Sequence, residues 1–119
     1  MKKPTAEELI ERVKERAKPE NLGMILIHNG IVRGSSKKGE KVKGMELSVD
    51  REKLKDVVRE LESREGIEAI EVWINEGKLK VGDDIMLVAV GGRFRKDVLP
   101  AFEDLIRKIK EEVVVEKEI

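Results

Sequence analysis

No cysteine occurs among the 119 residues. Disulfides, thiolate zinc sites and cysteine nucleophiles are thereby excluded, and any reactive sulfur must arrive on a partner. His28 is the only histidine, which excludes a His-based metal cluster. No apolar run approaches the roughly 18 residues that a bilayer-spanning helix needs. The first residues, MKKPTAEEL, carry basic side chains with no apolar segment behind them, so no secretory pattern is present and a cytoplasmic protein is expected. An excess of one charge is also missing. The 25 basic residues balance 25 acidic ones, which argues against a general nucleic-acid or membrane-surface binder.

Charge itself is abundant. Charged residues make up 42% of the chain, against the usual quarter or so. Together with the absence of glutamine, this is the profile of a hyperthermophile protein. The length suits one domain with one core, expected to span 1–119, with an N-terminal helix over 1–20 and the main body over 23–118.

Thr5 and Glu8 form a capping-box pattern ahead of Leu9, Ile10, Val13 and Ala17 at helical spacing. Pro19 closes that helix. Gly23 to Arg33 is β-rich, and its near-continuous apolar part, Met24 to Ile27, predicts burial on both faces; Gly30 marks a bulge or a close backbone approach. A polar loop, Gly34 to Lys41, leads to a strand in which Met45, Leu47 and Val49 alternate. Asp50 caps a second helix with a Leu54, Val57, Val58, Leu61 stripe, stopped by Gly66. Ile70, Val72 and Ile74 alternate in the next strand. After the Asn75-Glu76-Gly77 turn comes a short paired strand, Lys78 to Val81. Ile85 to Gly92 reads as the most buried strand. The last helix carries Phe102, Leu105, Ile106 and Ile109, with Asp97 as its expected N-cap so that Pro100 falls in the first turn. Val113 to Val115 forms a final strand. Strands paired through hairpins with helices laid on one face predict an α+β domain with an antiparallel or mixed sheet.

Most catalytic constellations are missing. Ser35 and Ser36 lie in a loop, not on a strand-to-helix elbow, and with 25 acids no carboxylate pair is informative. His28 is either a half-buried strand residue or a pocket residue that titrates near neutral pH. Arg33 ends its strand with a donor fork suited to carboxylate or phosphate. The loop GSSKKGEK offers backbone amides and Lys37 or Lys38 to a phosphate, but it lacks phosphate-loop spacing and reads as a plain flexible loop. Arg93, Arg95 and Lys96 cluster between Gly91-Gly92 and a helix start, a plausible anion site. Trp73 is expected to anchor packing. Lys110 and Lys117 flank the Val113-Val114-Val115 run, where partial desolvation would depress a lysine pKa.

In order and spacing, these pieces resemble the large, catalytic subunit of molybdopterin synthase. The matching pieces are Gly30-Ile31-Val32-Arg33, Val81-Gly82-Asp83, Arg95 and the Lys110/Lys117 pair, within a likeness that runs from about Gly23 to Glu118. The resemblance implies an α/β-hammerhead fold and a homodimer. Each subunit would dock a small ubiquitin-like sulfur carrier, giving a heterotetramer. The implied reaction turns a cyclic pyranopterin monophosphate into molybdopterin, with sulfur from the carrier's thiocarboxylate and no permanently bound cofactor or metal. Lys110 matches the catalytic lysine and Lys117 the second pocket lysine. Arg33 and Arg95 match anion- and pterin-binding positions, and His28 and Arg93 are further substrate-binding candidates. The chain departs from the family pattern at His28, Gly34, Ser48-Val49-Asp50, Phe94 and Glu116. The alternative expectation is a non-catalytic dimeric docking module for a ubiquitin-like protein. Neither reading involves nucleic acid or membrane.

Overall fold

The computed structural model describes residues 3–119. Helix α1 (Ala6–Arg16) begins as its sequence predicts. Thr5 Oγ1 accepts from the Glu8 amide at 3.0 Å, and Glu8 Oε1 accepts from the Thr5 amide at 3.2 Å. This reciprocal pair satisfies two amides that a helix start leaves open.

Six strands follow: β1 (Met24–Ile31), β2 (Gly44–Val49), β3 (Ile67–Ile74), β4 (Gly77–Lys80), β5 (Asp84–Gly92) and β6 (Val114–Glu118). Helix α2 (Arg51–Glu62) separates β2 from β3, and α3 (Arg95–Lys108) follows β5. The strands form two three-stranded sheets, ordered β1-β5-β3 and β4-β2-β6, and every pairing is antiparallel. The α+β class is as expected. A single sheet covered on one face is not what forms.

The central strand β5 explains this. All but its first residue is buried. Met86, Val88 and Val90 point into the main core with Leu61, Leu105 and Ile109, whereas Leu87 and Ala89 meet Leu9 and Val13 of α1, with Trp73. A strand apolar on both faces needs cover on both, so α1 lies on one side and α2 and α3 on the other. β1 follows the same logic, with Met24 and Leu26 against the main core and Ile25 and Ile27 against the α1 side. Its register slips between Gly30 and Ile31, the bulge that Gly30 suggested.

β4 follows β3 through Asn75-Glu76-Gly77 yet pairs with β2 in the other sheet. Its one apolar residue, Leu79, thereby joins Met45 and Leu47 in the main core. The start of α3 also differs from expectation. Phe94, not Asp97, is the N-cap, and its carbonyl accepts from the Asp97 and Val98 amides. The Asp97 carboxylate is engaged by Arg93 Nε at 2.9 Å. Pro100 is therefore the sixth helical residue and leaves the Lys96 carbonyl without its helical amide partner. After Lys108 the helix widens into one π turn, Ile109–Val113, before β6.

Candidate functional site

A cavity of about 880 Å³ opens between the end of β1, the loop behind it, the π turn and β6. Val42, Met45, Ile85 and Met86 form apolar wall. Five cations, Arg33, Lys37, Lys38, Lys41 and Lys110, outnumber three carboxylates, Glu40, Glu116 and Glu118. Elsewhere on the surface ion pairs are common, but among the described residues none engages any of these five cations. Unpaired cations on one concavity favour an anionic occupant.

Lys110 lies on the π turn, a feature that often accompanies functional sites. The turn is held from several sides. The Asp50 amide donates to the Val113 carbonyl at 2.8 Å, and Val114 N returns to the Ile109 carbonyl. Glu112 lies 3.2 Å from Lys53 Nζ and 3.7 Å from Lys108 Nζ. The Lys53 contact, ahead of the charges of Lys108 and Arg107, holds its carboxyl below the usual range. The neighbouring lysines are thus committed to Glu112, and Lys110 stays free at the cavity wall.

His28 stands on β1 opposite Val88, edge-on to Phe102 with ring centroids 6.4 Å apart. Its Nε2 is buried and has no hydrogen-bond partner. Gly30 makes room for the ring, since a Cβ there would come within 3.2 Å of Nε2. Burial first, then the charge of Lys110, pushes the imidazole pKa down, so the ring is neutral at neutral pH. Arg33 donates through Nε to the Ser35 carbonyl at 3.0 Å. Its two terminal nitrogens make no bond to the described residues and remain open to an anion.

His28, Arg33 and Lys110 therefore border one cavity. Three other sequence candidates do not. Lys117 stands on the outer face of the β4-β2-β6 sheet, the smaller of the two because its strands are shorter, by a second, shallower hollow that also includes Glu46, Ser48, Lys78 and Val115. Arg93 is bound to Glu65 and Asp97 and lies 5.5 Å over the ring of Phe94. Arg95 is the first residue of α3 and Lys110 lies just past its end, so about 20 Å of helix separates them.

Sequence reasoning met Glu116 and Glu118 only as departures from the family pattern and gave them no place in the site, whereas the alternation of β6 turns both toward the cavity. It also treated the Gly34–Lys41 loop as flexible. The loop is instead folded around Ser36, whose Oγ accepts from the Lys38 and Glu40 amides, both at 3.2 Å. Four of its amides, those of Ser36, Lys38, Gly39 and Glu40, are bonded within the loop. Among the described residues, no three His, Asp or Glu side chains converge as metal ligands. No helix there is long and apolar enough to cross a membrane.

The two-sheet α+β fold carries a cation-walled cavity whose charge suits an anionic occupant. The comparisons name the family: the sequence model of the MoaE protein matches residues 3–112, and the chain belongs to that family. It is 37% identical over 108 residues to an uncharacterized protein of Methanocaldococcus jannaschii, with 87% of each chain covered. Molybdopterin synthase from Staphylococcus aureus superposes with a TM-score of 0.74 at 30% identity, over 92% of this chain and 82% of that one. A chain of the complex of subunits 1 and 2 of molybdopterin-converting factor from Helicobacter pylori gives 0.71 at 20% identity, over 97% and 78%, a likeness of fold alone. The family and the Staphylococcus aureus neighbour support a role in molybdenum cofactor biosynthesis.

Proposed function

We propose that the chain is the catalytic subunit of a molybdopterin synthase. In this reading it converts a cyclic pyranopterin monophosphate to molybdopterin with sulfur delivered as a thiocarboxylate on a ubiquitin-like small subunit. The observation that carries the reading is the meeting of Lys110 and Arg33, both free of carboxylates, on one cavity with apolar wall. A thiocarboxylate, a phosphate and the oxyanion that forms as the acyl carbon is attacked all need fixed cations in a sheltered place. Lys110 is the main catalytic group, Arg33 holds an anionic group, and the neutral His28 offers a hydrogen bond beside them. Arg95, Arg93 and Lys117 enter the reaction only through a second copy of the chain, so the homodimer is part of the proposal.

The test combines the protein with a thiocarboxylated carrier and the pyranopterin substrate and measures dithiolene product. Product that vanishes with Lys110→Ala supports the synthase. Carrier binding without product favours the second reading, a dimeric docking module without turnover. One observation favours that second reading: Lys117 and Arg95 lie outside the cavity of their own chain.

A further inference from the structure

The Gly34–Lys41 loop is the part of the cavity that the proposed reaction leaves unexplained. It brings three lysines, Lys37, Lys38 and Lys41, to the cavity wall. Lysines on a loose loop would sample solvent, but this loop is closed on itself. The Ser36 amide donates to the Glu40 carbonyl at 2.8 Å, and the Gly39 amide returns to the Ser36 carbonyl at 3.0 Å. Gly39 adopts φ +84°, which a glycine reaches without strain. Ser35 pairs with Lys41, and Val42 N donates to the Gly34 carbonyl at 3.0 Å. Arg33 fastens the base of the loop through its bond to the Ser35 carbonyl. The loop is therefore a small folded unit with three cations on it, next to the open guanidinium of Arg33.

We propose that this loop is a second anion subsite, in which Lys37, Lys38 and Lys41 hold a phosphoryl group of the ligand whose reacting part reaches Lys110. Two features select a phosphoryl group over a protein carboxylate. A phosphate offers several acceptor oxygens to several point-charge donors at once, and the cavity is a concavity of small-ligand size. The Ser36, Lys38, Gly39 and Glu40 amides are already bonded within the loop, so the three lysine side chains carry most of the recognition. The subsite rests on the reading of the cavity given above and adds the place where the charged end of the substrate sits.

Inorganic phosphate is the probe, titrated at low ionic strength into the full-length 15N-labelled protein. Shifts concentrated on Ser36 to Lys41 are expected. The Lys37→Ala/Lys38→Ala/Lys41→Ala variant is expected to weaken binding about tenfold or more, while Lys43→Ala/Lys80→Ala, on lysines outside the cavity, changes it by less than about threefold. Shifts spread over all surface lysines, or a triple variant that binds like the wild type, overturn the subsite. So does a glutamate-rich peptide that shifts the loop where phosphate does not, since that result makes the loop a protein-docking surface. Phosphate bound at the loop of a protein that makes no dithiolene leaves the subsite standing and removes the synthase reading. Full turnover by the triple variant with an unchanged KM for the pyranopterin phosphate does the reverse.

Discussion

Lys110 and Lys117 are seven residues apart and face opposite sides of the smaller sheet. The reason is the two-residue period of β6. Val114 points into the core, so Glu116 and Glu118 share its side and reach the cavity, while Val115 and Lys117 stand on the outer face. There Lys117 lies across from Glu46, whose neighbour on the other strand is Lys78. The π turn then sets Lys110 apart from that alternation and leaves it at the cavity wall.

Subunit mixing tests whether a second copy supplies Arg95 to this cavity. Lys110→Ala and Arg95→Ala are each expected to be inactive alone. After exchange of subunits, every hybrid dimer has one cavity with both residues intact, so roughly a quarter of wild-type activity returns. No recovery in verified hybrids means that Arg95 has no part in the site.

The lone imidazole can be followed by NMR. Its midpoint is expected below the usual value of about 6.5, because burial and then Lys110 disfavour its charged form. Lys110→Ala moves the midpoint up without restoring it fully, since burial is the larger cause. The sign for stability follows from proton uptake. Between the folded and unfolded midpoints the unfolded chain binds more protons, so stability present above about pH 6.5 is lost as the pH falls toward the folded value. Urea unfolding of wild type and His28→Phe at pH 7 and pH 5 checks this: the wild type must lose more stability than the variant over that interval.

The two glycines at the end of β5 differ in what surrounds them. A Cβ at Gly92 would stand 2.3 Å from the Gly66 carbonyl oxygen, which belongs to the backbone. One at Gly91 would meet Val13 Cγ1 at 2.5 Å and Leu22 Cδ1 at 3.0 Å, both side chains. Gly92→Ala is expected to destabilise by about 3 kcal/mol or more and Gly91→Ala by about 1–2 kcal/mol. Equal urea midpoints for the two variants would contradict this ranking.

Pro100 sits inside α3 with its side chain exposed. Pro100→Ala restores an amide to the Lys96 carbonyl and removes a ring clash, a gain partly offset by the freer unfolded chain. A net stabilisation of about 1–2 kcal/mol is expected in thermal unfolding. A lower melting temperature would mean that the helix depends on proline's fixed φ at this point.

Much of the fold was legible because it rests on local rules. The Thr5–Glu8 box, the Asp50 cap, the slip at Gly30 and the buried run of β5 each follow from neighbours in sequence. The α3 cap was misread because a capping residue was judged by its type alone. Asp97 has a rival partner in Arg93, supplied by the turn that leaves β5. The split into two sheets was not legible either, since β4 pairs with a strand some 30 residues earlier in the chain.

What the sequence by itself determined is the set of elements, their order, the absence of thiol chemistry, and a likeness to one family. Periodicity and capping act over a few residues, and the order of pieces along a chain needs no folding to be read. What only the tertiary structure decided is which charges meet. It brought Arg33 and the loop lysines to Lys110 across about 70 residues of chain, and it put Lys117 and Arg95 elsewhere. Charge–charge contact depends on distance in space and on which face of a strand a side chain leaves, and neither follows from spacing once two sheets and a π turn lie between.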